Sequence, residues 1–246
     1  MKTKIFLTVT IFLTCTFCFG QENGIVTYTI THDWIKKLLS CDYFSKTERE
    51  RYAYIWGGDN EWKEKAELKF NATESRYEEL QEEDSRWRKG DDYIIYRDRE
   101  KNEALDVLTV LNKDYALRDS ILCQNWKIKN DMKEVAGHIC MNASCYDSLK
   151  DKEIMAWFAL DLPIAAGPDK YCGLPGMILE VNEANGALVY TATTVLLSEE
   201  KMEIKKPEVK KKRKIIDTQE YTKIVSKYIN ESKKMQRPYF WGGLGF

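Results

Sequence analysis

Two residues capable of acid–base or metal chemistry stand close together at one place in the chain. His138 and Cys140 are two positions apart, and residues at this spacing on a β-strand project to the same face of the sheet. Such a pair could place a thiolate beside its base, or supply two ligands to copper or zinc. No third ligand stands nearby in the sequence, so we favour a packed cysteine beside a half-buried histidine over a metal site or a hydrolase site.

Other catalytic and cofactor patterns are missing from the sequence. The chain has no H-E-x-x-H, no G-x-S-x-G, no phosphate-binding loop and no G-x-G-x-x-G. Its 39 acidic residues do not single out a catalytic pair. Glu180, which interrupts an apolar run, is interpreted as a solvent-facing strand residue. We therefore assign no catalytic residue, expect no cofactor and lean against an enzyme.

Composition and charge fit one sizeable globular domain. The 246 residues are 43% hydrophobic and 31% charged, and 38 basic against 39 acidic residues give a formal net charge of -1. No global basic field therefore favours a nucleic acid partner.

The N-terminus has the pattern of a secretory signal peptide. Lys2 and Lys4 precede an apolar run over 5–19 that is shorter than the roughly 20 residues of a membrane span. Cleavage before Gln21 would remove 1–20 and leave 21–246 as one exported domain without a transmembrane span. We expect it in the periplasm, at the outer membrane or outside the cell.

Five cysteines remain after this cleavage, and an oxidising compartment permits disulfides among them. Their pairing is open, and an odd number leaves at least one thiol outside any internal pair. They are Cys41, Cys123, Cys140, Cys145 and Cys172.

Short strands separated by turn signals predict a mainly β (α+β) fold: a curved antiparallel sheet or incomplete barrel with short helices and a C-terminal helix. Asn185-Gly186 predicts a hairpin. We expect short helices within 33–54, an exposed basic linker over 205–214, a helix over 217–235, and an aromatic tail over 237–246 that packs on the domain. The predicted strands are 25–30, 66–72 continuing toward 77, 93–97, 104–111, 115–121, 133–141, 154–160, 177–182 and 187–197.

The segment from Trp157 to Val181 is the most distinctive part of the chain, because three prolines and three glycines restrict its backbone. Leu174-Pro175-Gly176-Met177 predicts a type II turn with a positive φ at Gly176. We interpret the segment as a stiff loop that delivers a strand into the core.

These residues resemble the GLPGLI family of exported proteins from Gram-negative bacteria, whose name-giving stretch here is Gly173-Leu-Pro-Gly-Met-Ile178. Gly137-His-Ile-Cys140, Ala156-Trp-Phe158, Leu162-Pro163 and Gly167-Pro168 stand in the family's order. The similarity covers nearly all of 21–246.

The resemblance implies an exported protein without an established reaction, since none is known for the family. Many members are encoded beside TonB-dependent outer-membrane receptors, which implies a non-enzymatic accessory or binding protein acting on such a receptor or another envelope protein. A carrier of an apolar or peptide ligand in the curved sheet is the alternative, and a metal-handling protein or hydrolase using His138 and Cys140 is the third. The motif is interpreted first as a folding element and second as a contact surface, formed by Trp157, Pro163, Gly167, Pro168, Gly173, Leu174, Pro175, Gly176, Met177 and Ile178.

Overall fold

The structure, a computed structural model, describes residues 23–56, 60–80 and 93–242. The predicted leader over 1–20 and the end of the aromatic tail, 243–246, lie outside the described residues. The strands are β1 (Asn23–Asp33), β2 (Glu61–Phe70), β3 (Glu74–Leu80), β4 (Ile94–Asp98), β5 (Glu103–Val110), β6 (Lys113–Asp119), β7 (Lys127–Val135), β8 (His138–Asp147), β9 (Lys152–Ala159), β10 (Met177–Glu183), β11 (Leu188–Ser198) and β12 (Lys214–Ile216).

These strands form one open sheet in the order β12-β6-β5-β4-β3-β2-β1-β11-β10-β9-β8-β7. The neighbours are antiparallel except β12, which runs parallel to β6. The predicted mainly β fold with an antiparallel sheet is therefore confirmed. The sheet is unclosed: among the described strands, β12 and β7 are its two edges.

β1 lies in the middle of the sheet, and its alternating sequence explains why. Val26, Tyr28 and Ile30 are almost fully buried, while the residues between them are partly exposed. This period of two is what one buried sheet face requires. β1 pairs with β2 on one side and with β11 on the other, so the first described strand joins early and late parts of the chain.

Two of the strands predicted from the sequence are, in the structure, each a hairpin of two shorter strands. The expected continuous run over 66–77 is wrong, because Asn71 Oδ1 accepts hydrogen bonds from the backbone N–H groups of Thr73 and Glu74, at 2.9 and 2.6 Å, and turns the chain between β2 and β3. The expected strand over 133–141 is also wrong. Ala136 and Gly137 have φ values of 51° and 84°, the left-handed pair that closes a two-residue hairpin between β7 and β8.

The predicted hairpin at Asn185-Gly186 is confirmed. The two residues have φ values of 56° and 87°, and β10 pairs with β11 directly, with Glu183 opposite Leu188. Gly186 supplies the left-handed conformation at no steric cost.

The described residues also form three α-helices: α1 (Trp34–Leu39), α2 (Lys46–Trp56) and α3 (Thr218–Lys234). The Asp217 side chain caps α3 by accepting a 2.7 Å hydrogen bond from the Glu220 backbone N–H. The apolar face of α3 is buried through Val225 and Ile229. Within the described ranges, no helix is long and apolar enough to span a membrane.

The aromatic tail begins with a 3₁₀ helix, Tyr239–Gly242. Tyr239 and Phe240 are buried, and the Tyr43 hydroxyl donates a 3.0 Å hydrogen bond to the carbonyl of Arg237. The described part of the tail therefore packs on the domain, as expected.

The basic linker over 205–214 is less exposed than its charge suggests. Most of its lysines face solvent, but Pro207 and Arg213 are buried. The Arg213 guanidinium donates to the Leu108 carbonyl at 3.1 Å, and Lys206 binds Glu103 at 2.6 Å. The linker is therefore held along the sheet by acceptors on β5 and is not a free basic tract.

Candidate functional site

The loop that joins β9 to β10, residues 160–176 and called the motif loop below, is fastened to the segment before β7. Cys172 forms a disulfide with Cys123 across 49 positions of sequence. The Trp126 indole N–H donates to the Cys172 carbonyl at 2.7 Å, and the Gln124 amide donates to the Lys170 carbonyl at 3.3 Å. One covalent bond and several hydrogen bonds therefore fix this loop in place.

The other cysteines of the predicted mature chain, Cys41, Cys140 and Cys145, are free thiols.

The three glycines of the motif loop are needed for close approach and for one left-handed backbone position. A Cβ on Gly176 would lie 2.1 Å from the Ala159 carbonyl oxygen, and a Cβ on Gly167 would lie 2.7 Å from the Ile178 Cβ. The type II turn with a positive φ at Gly176 is wrong, because the positive φ belongs to Gly173, at 92°. Glycine is therefore required at position 176 because the neighbouring backbone leaves no room for a Cβ, and not because of its own φ angle.

Most apolar side chains of the motif point into the protein. Leu174 is 2% exposed and Met177 and Ile178 are fully buried. The Tyr28 hydroxyl, from the centre of β1, donates a 2.7 Å hydrogen bond to the Ile178 carbonyl. These side chains cannot touch a partner without unfolding, which supports the interpretation of the motif as a folding element.

The remaining candidate contact residues divide between surface and interior. Pro163, Gly173 and Pro175 are exposed, whereas Gly167 and Pro168 are buried. A contact surface built on the motif would therefore consist of the exposed three and the half-buried Trp157.

Trp157 and Glu180 lie opposite each other in the ladder between β9 and β10, and Lys133 of β7 binds both. Its ammonium lies 4.5 Å from the centroid of the Trp157 ring and 2.6 Å from Glu180 Oε1. Glu180 is thus a partly buried ion-pair partner, and the expected solvent-facing position is wrong. The two contacts of Lys133 therefore link β7 to β9 and β10.

His138 and Cys140 both lie on β8, but each is engaged separately. His138 Nδ1 is 2.7 Å from a carboxylate oxygen of Asp161 at the start of the motif loop. Cys140 is fully buried, and burial raises the pKa of its thiol to about 11. The thiol is therefore protonated at neutral pH. The described residues contain no group of three or more His, Cys, Asp or Glu side chains arranged to hold a metal ion.

A polar cleft of 330 Å³ opens beside the motif loop, and the sequence did not point to it. One wall is the triplet Asp169-Lys170-Tyr171 of the loop, and another is the turn between β8 and β9 with Asp147 and Lys150. The only signal for the first wall is the pair of adjacent charged residues, Asp169 and Lys170, between Pro168 and Cys172.

Two ionisable residues that do not line this cleft are buried close to residues that do. Glu183 is 3% exposed and accepts a 2.7 Å hydrogen bond from the Tyr171 hydroxyl. Burial raises the pKa of Glu183 above its ordinary value. Lys152, 4% exposed, has a pKa lowered to about 6, mainly by burial and next by the charge of Lys150. Each stands at the end of a strand, in phase with buried residues such as Ile154 on β9 and Val181 on β10, so the alternation was a signal for their burial that their charge obscured.

Comparison with known proteins gives a short family match and a distant structural one. The sequence model of a family described as "Protein of unknown function (Porph_ging)" matches residues 146–180. The match spans β9, the motif loop and the start of β10, and so includes the Gly173–Ile178 stretch. It indicates a similar, uncharacterised bacterial family and does not confirm the GLPGLI resemblance. No curated protein matches the chain significantly.

Among solved structures, the chain is similar to PNGF-II in space group C2, with a TM-score of 0.53 and 15% identity over 82% of this chain and 32% of that chain. PNGF-II in space group P21 gives a TM-score of 0.52 and 14% identity over 82% and 33%. The chain thus spans about a third of PNGF-II. At this identity the similarity concerns the fold alone.

Proposed function

We propose that the chain is an exported, non-enzymatic binding protein of the cell envelope, related to the GLPGLI family, that works beside a TonB-dependent outer-membrane receptor. The observation that carries the proposal is the disulfide between Cys123 and Cys172. Stable disulfides are typical of proteins outside the cytoplasm, and this one fixes the loop that contains the family-like stretch.

The motif itself is explained by folding before either binding or catalysis. Its apolar side chains are buried and its glycines are explained by close packing, so a partner could reach only its exposed residues. The Cys140 thiol is inaccessible and protonated, which disfavours a nucleophilic role for it. The exposed prolines, Pro163 and Pro175, are then the residues that a receptor could reach.

The receptor partner is tested by photo-crosslinking in cells that express the full chain. A benzoylphenylalanine at Pro163 or Pro175 should yield an adduct that mass spectrometry identifies as a TonB-dependent receptor. The same probe at the exposed Lys201 is the matched control and should yield none. A folded, exported protein that gives no receptor adduct at either proline would disprove the association.

Export is tested on the same cells. N-terminal sequencing of the mature protein should begin at Gln21, and fractionation should recover the protein with the envelope or the periplasm. A chain that keeps its first 20 residues and stays in the cytoplasm contradicts the proposal.

The second candidate is a periplasmic carrier of an apolar or peptide ligand in the curved sheet. The polar cleft, which is lined largely by the motif loop and the turn between β8 and β9, supports only a carrier of a peptide-like ligand. A volume of 330 Å³ is at the lower end of small-molecule sites, which usually measure about 300–1,000 Å³. A receptor accessory protein and a carrier are compatible, because a carrier can deliver its ligand to a receptor. The metal-handling or hydrolase candidate has no supporting contact among the described residues. It would require a bound metal in the purified protein that the double substitution His138→Ala and Cys140→Ala removes.

A further inference from the structure

The turn that joins β10 to β11 contains a chemically labile pair, Asn185-Gly186. An asparagine before a glycine can lose its side-chain amide without an enzyme, because the following backbone nitrogen is not shielded by a Cβ. Asparagine is for this reason among the residues that proteins of hot environments use sparingly. The Asn185 side chain is exposed, so water can reach its amide. The pair is therefore a candidate modification site at the end of β10.

The reaction is an intramolecular acyl substitution. The Gly186 backbone nitrogen gives its proton to a solvent base and attacks the side-chain carbonyl carbon of Asn185. The new C–N bond closes a cyclic succinimide, and the side-chain nitrogen takes up a proton and leaves as ammonia. Water then opens the ring at either of its carbonyls and leaves aspartate or isoaspartate at position 185. The rate of ring closure depends on how freely the Gly186 nitrogen can lose its proton and approach the carbonyl carbon.

The structure holds this nitrogen away from the reaction. The Gly186 N–H donates a 2.6 Å hydrogen bond to Asn182 Oδ1 on β10. Proton loss would break this bond and leave a negative nitrogen facing an oxygen lone pair, so the contact opposes the first step. Asn182 therefore acts on the attacking atom itself.

The turn around the pair is also closed by the backbone. Asn185 and Gly186 have φ values of 56° and 87°, the left-handed pair of a two-residue hairpin. The Ala187 N–H donates a 3.1 Å hydrogen bond to the Glu183 carbonyl. Attack on the side chain requires movement away from this conformation, so the closed turn and the Asn182 contact act in the same direction.

A second pair of the same kind, Asn23-Gly24, lies in a different setting. Gly24 is inside the sheet, opposite Phe70 of β2 and Leu197 near the end of β11. Asn182 lies opposite Val189, near the start of β11. The Asn182 side chain can therefore control the reaction at Asn185 without affecting the reaction at Asn23.

Modification at position 185 would extend to the motif loop. Isoaspartate adds a methylene to the main chain, which a two-residue turn cannot accommodate without a change of register. Glu183 closes this turn through its carbonyl, and its carboxyl accepts the 2.7 Å hydrogen bond from Tyr171 of the motif loop. A distorted turn would thus weaken a contact that holds this loop to β10.

We propose that Asn185 is a site of spontaneous, succinimide-forming deamidation, and that the Asn182 side chain keeps this reaction slow in the folded protein by holding the Gly186 nitrogen. The inference concerns the hairpin alone and is independent of the proposed receptor contact at Pro163 and Pro175.

The test follows both Asn-Gly pairs in the purified protein during incubation in mildly alkaline buffer, with peptide mass spectrometry that separates asparagine, aspartate and isoaspartate. Asn182→Ala should accelerate deamidation at Asn185 by about fivefold, the rate change that corresponds to about 1 kcal/mol for one lost hydrogen bond. Asn182→Asp retains an oxygen acceptor and is the matched control, with a rate close to wild type. The rate at Asn23 should be the same in all three proteins.

Three results would overturn the proposal. The first is an unchanged rate at Asn185 in Asn182→Ala, and the second is equal acceleration at Asn23, which would assign the effect to general unfolding. The third needs no substitution: the Gly186 amide of the wild-type protein should exchange its hydrogen slowly in NMR measurements. Exchange as fast as in an unfolded chain would show that Asn182 does not hold this nitrogen.

Discussion

The hydroxyl of Tyr171 donates a 2.7 Å hydrogen bond to the buried carboxyl of Glu183, and so links the motif loop to the end of β10. Tyr171 stands immediately before the disulfide-bonded Cys172, so the two contacts hold the loop from adjacent positions. A buried carboxyl with one strong donor is costly to ionise, which makes this contact sensitive to pH.

We predict that Glu183→Gln makes the protein more stable at pH 7. Burial raises the carboxyl pKa in the folded state above the ordinary value of 4.5. The folded state then binds this proton more tightly than the unfolded chain does, and the contribution of Glu183 to stability falls as pH rises from 4.5 through the folded pKa. Glutamine keeps an acceptor for Tyr171 without the charge. Urea unfolding at pH 4 and pH 7 should show that the stability difference between Glu183→Gln and wild type grows with pH, whereas the exposed control Glu203→Gln should stay close to wild type at both pH values.

The buried amine of Lys152 is expected to produce a pH dependence of opposite sign. The unfolded chain protonates this amine up to its ordinary pKa of 10.5, whereas the folded state does so only below about 6. The unfolded state therefore binds more protons between these values, and stability rises with pH there by at most about 1.4 kcal/mol per pH unit.

Replacement of Lys152 by methionine should remove this dependence and raise stability at pH 7 by about 1–4 kcal/mol, because the wild-type amine must give up its proton on folding at this pH, whereas methionine, an apolar side chain of similar length, has no proton to lose. Urea unfolding at pH 7 and pH 9 measures both effects. The exposed Lys201→Met variant should keep the wild-type slope. Parallel pH profiles for Lys152→Met and wild type would show that the amine is not buried as described.

We predict that Gly176→Ala destabilises the protein by about 3 kcal/mol or more, because overpacking against a fixed backbone has few routes of relief. The added Cβ would lie 2.1 Å from the Ala159 carbonyl oxygen. Pro175→Ala is the matched control: its side chain is exposed, so we expect a change below about 1 kcal/mol. Similar midpoints of urea unfolding for the two variants would refute the close approach.

Loss of the disulfide in the double variant Cys123→Ser and Cys172→Ser should reduce the free energy of unfolding by about 4 kcal/mol, the chain-entropy value for a loop of this length. The closed loop spans 49 positions. Cys145→Ser, at a free thiol, should leave the stability close to wild type. Denaturation with and without a reductant gives an independent measure, and a reductant that lowers only the wild-type midpoint fits the prediction.

The free thiols should react slowly in the folded protein. Burial raises the pKa of Cys140 to about 11, and that of Cys145 to about 12, so the reactive thiolate is scarce at pH 8. Alkylation by iodoacetamide, followed by mass spectrometry, should modify them only after denaturation. Rapid modification of Cys140 in the native state would restore the nucleophile hypothesis.

Local sequence signals predicted the elements whose ends carry specific side chains. Asp217 marks the start of α3 because its carboxylate accepts from the Glu220 backbone N–H, and Asn185-Gly186 marks a hairpin because both residues adopt positive φ. The turns at Asn71 and Ala136 were missed. Alternating polarity continues through a short turn, so a period of two cannot tell one long strand from two short ones.

The candidate site was less predictable than the fold. Burial of Lys152 and Glu183 depends on what packs over the sheet, including Tyr239 of the aromatic tail, whose ring centroid is 5.1 Å from Lys152 Nζ. Such contacts join residues far apart in sequence, and no local pattern encodes them. The pairing of Cys123 with Cys172 was open for the same reason.

The central position of β1 dictates the order in which the sheet can be completed. β2 follows within the next 40 residues, but the other neighbour of β1 is β11, with Asn23 opposite Ser198. As the chain emerges from its N-terminus, the backbone donors and acceptors along that side of β1 stay without their native partner until nearly four-fifths of the polypeptide has been made. An unpaired hydrophobic edge of this kind is a template for wrong strand association.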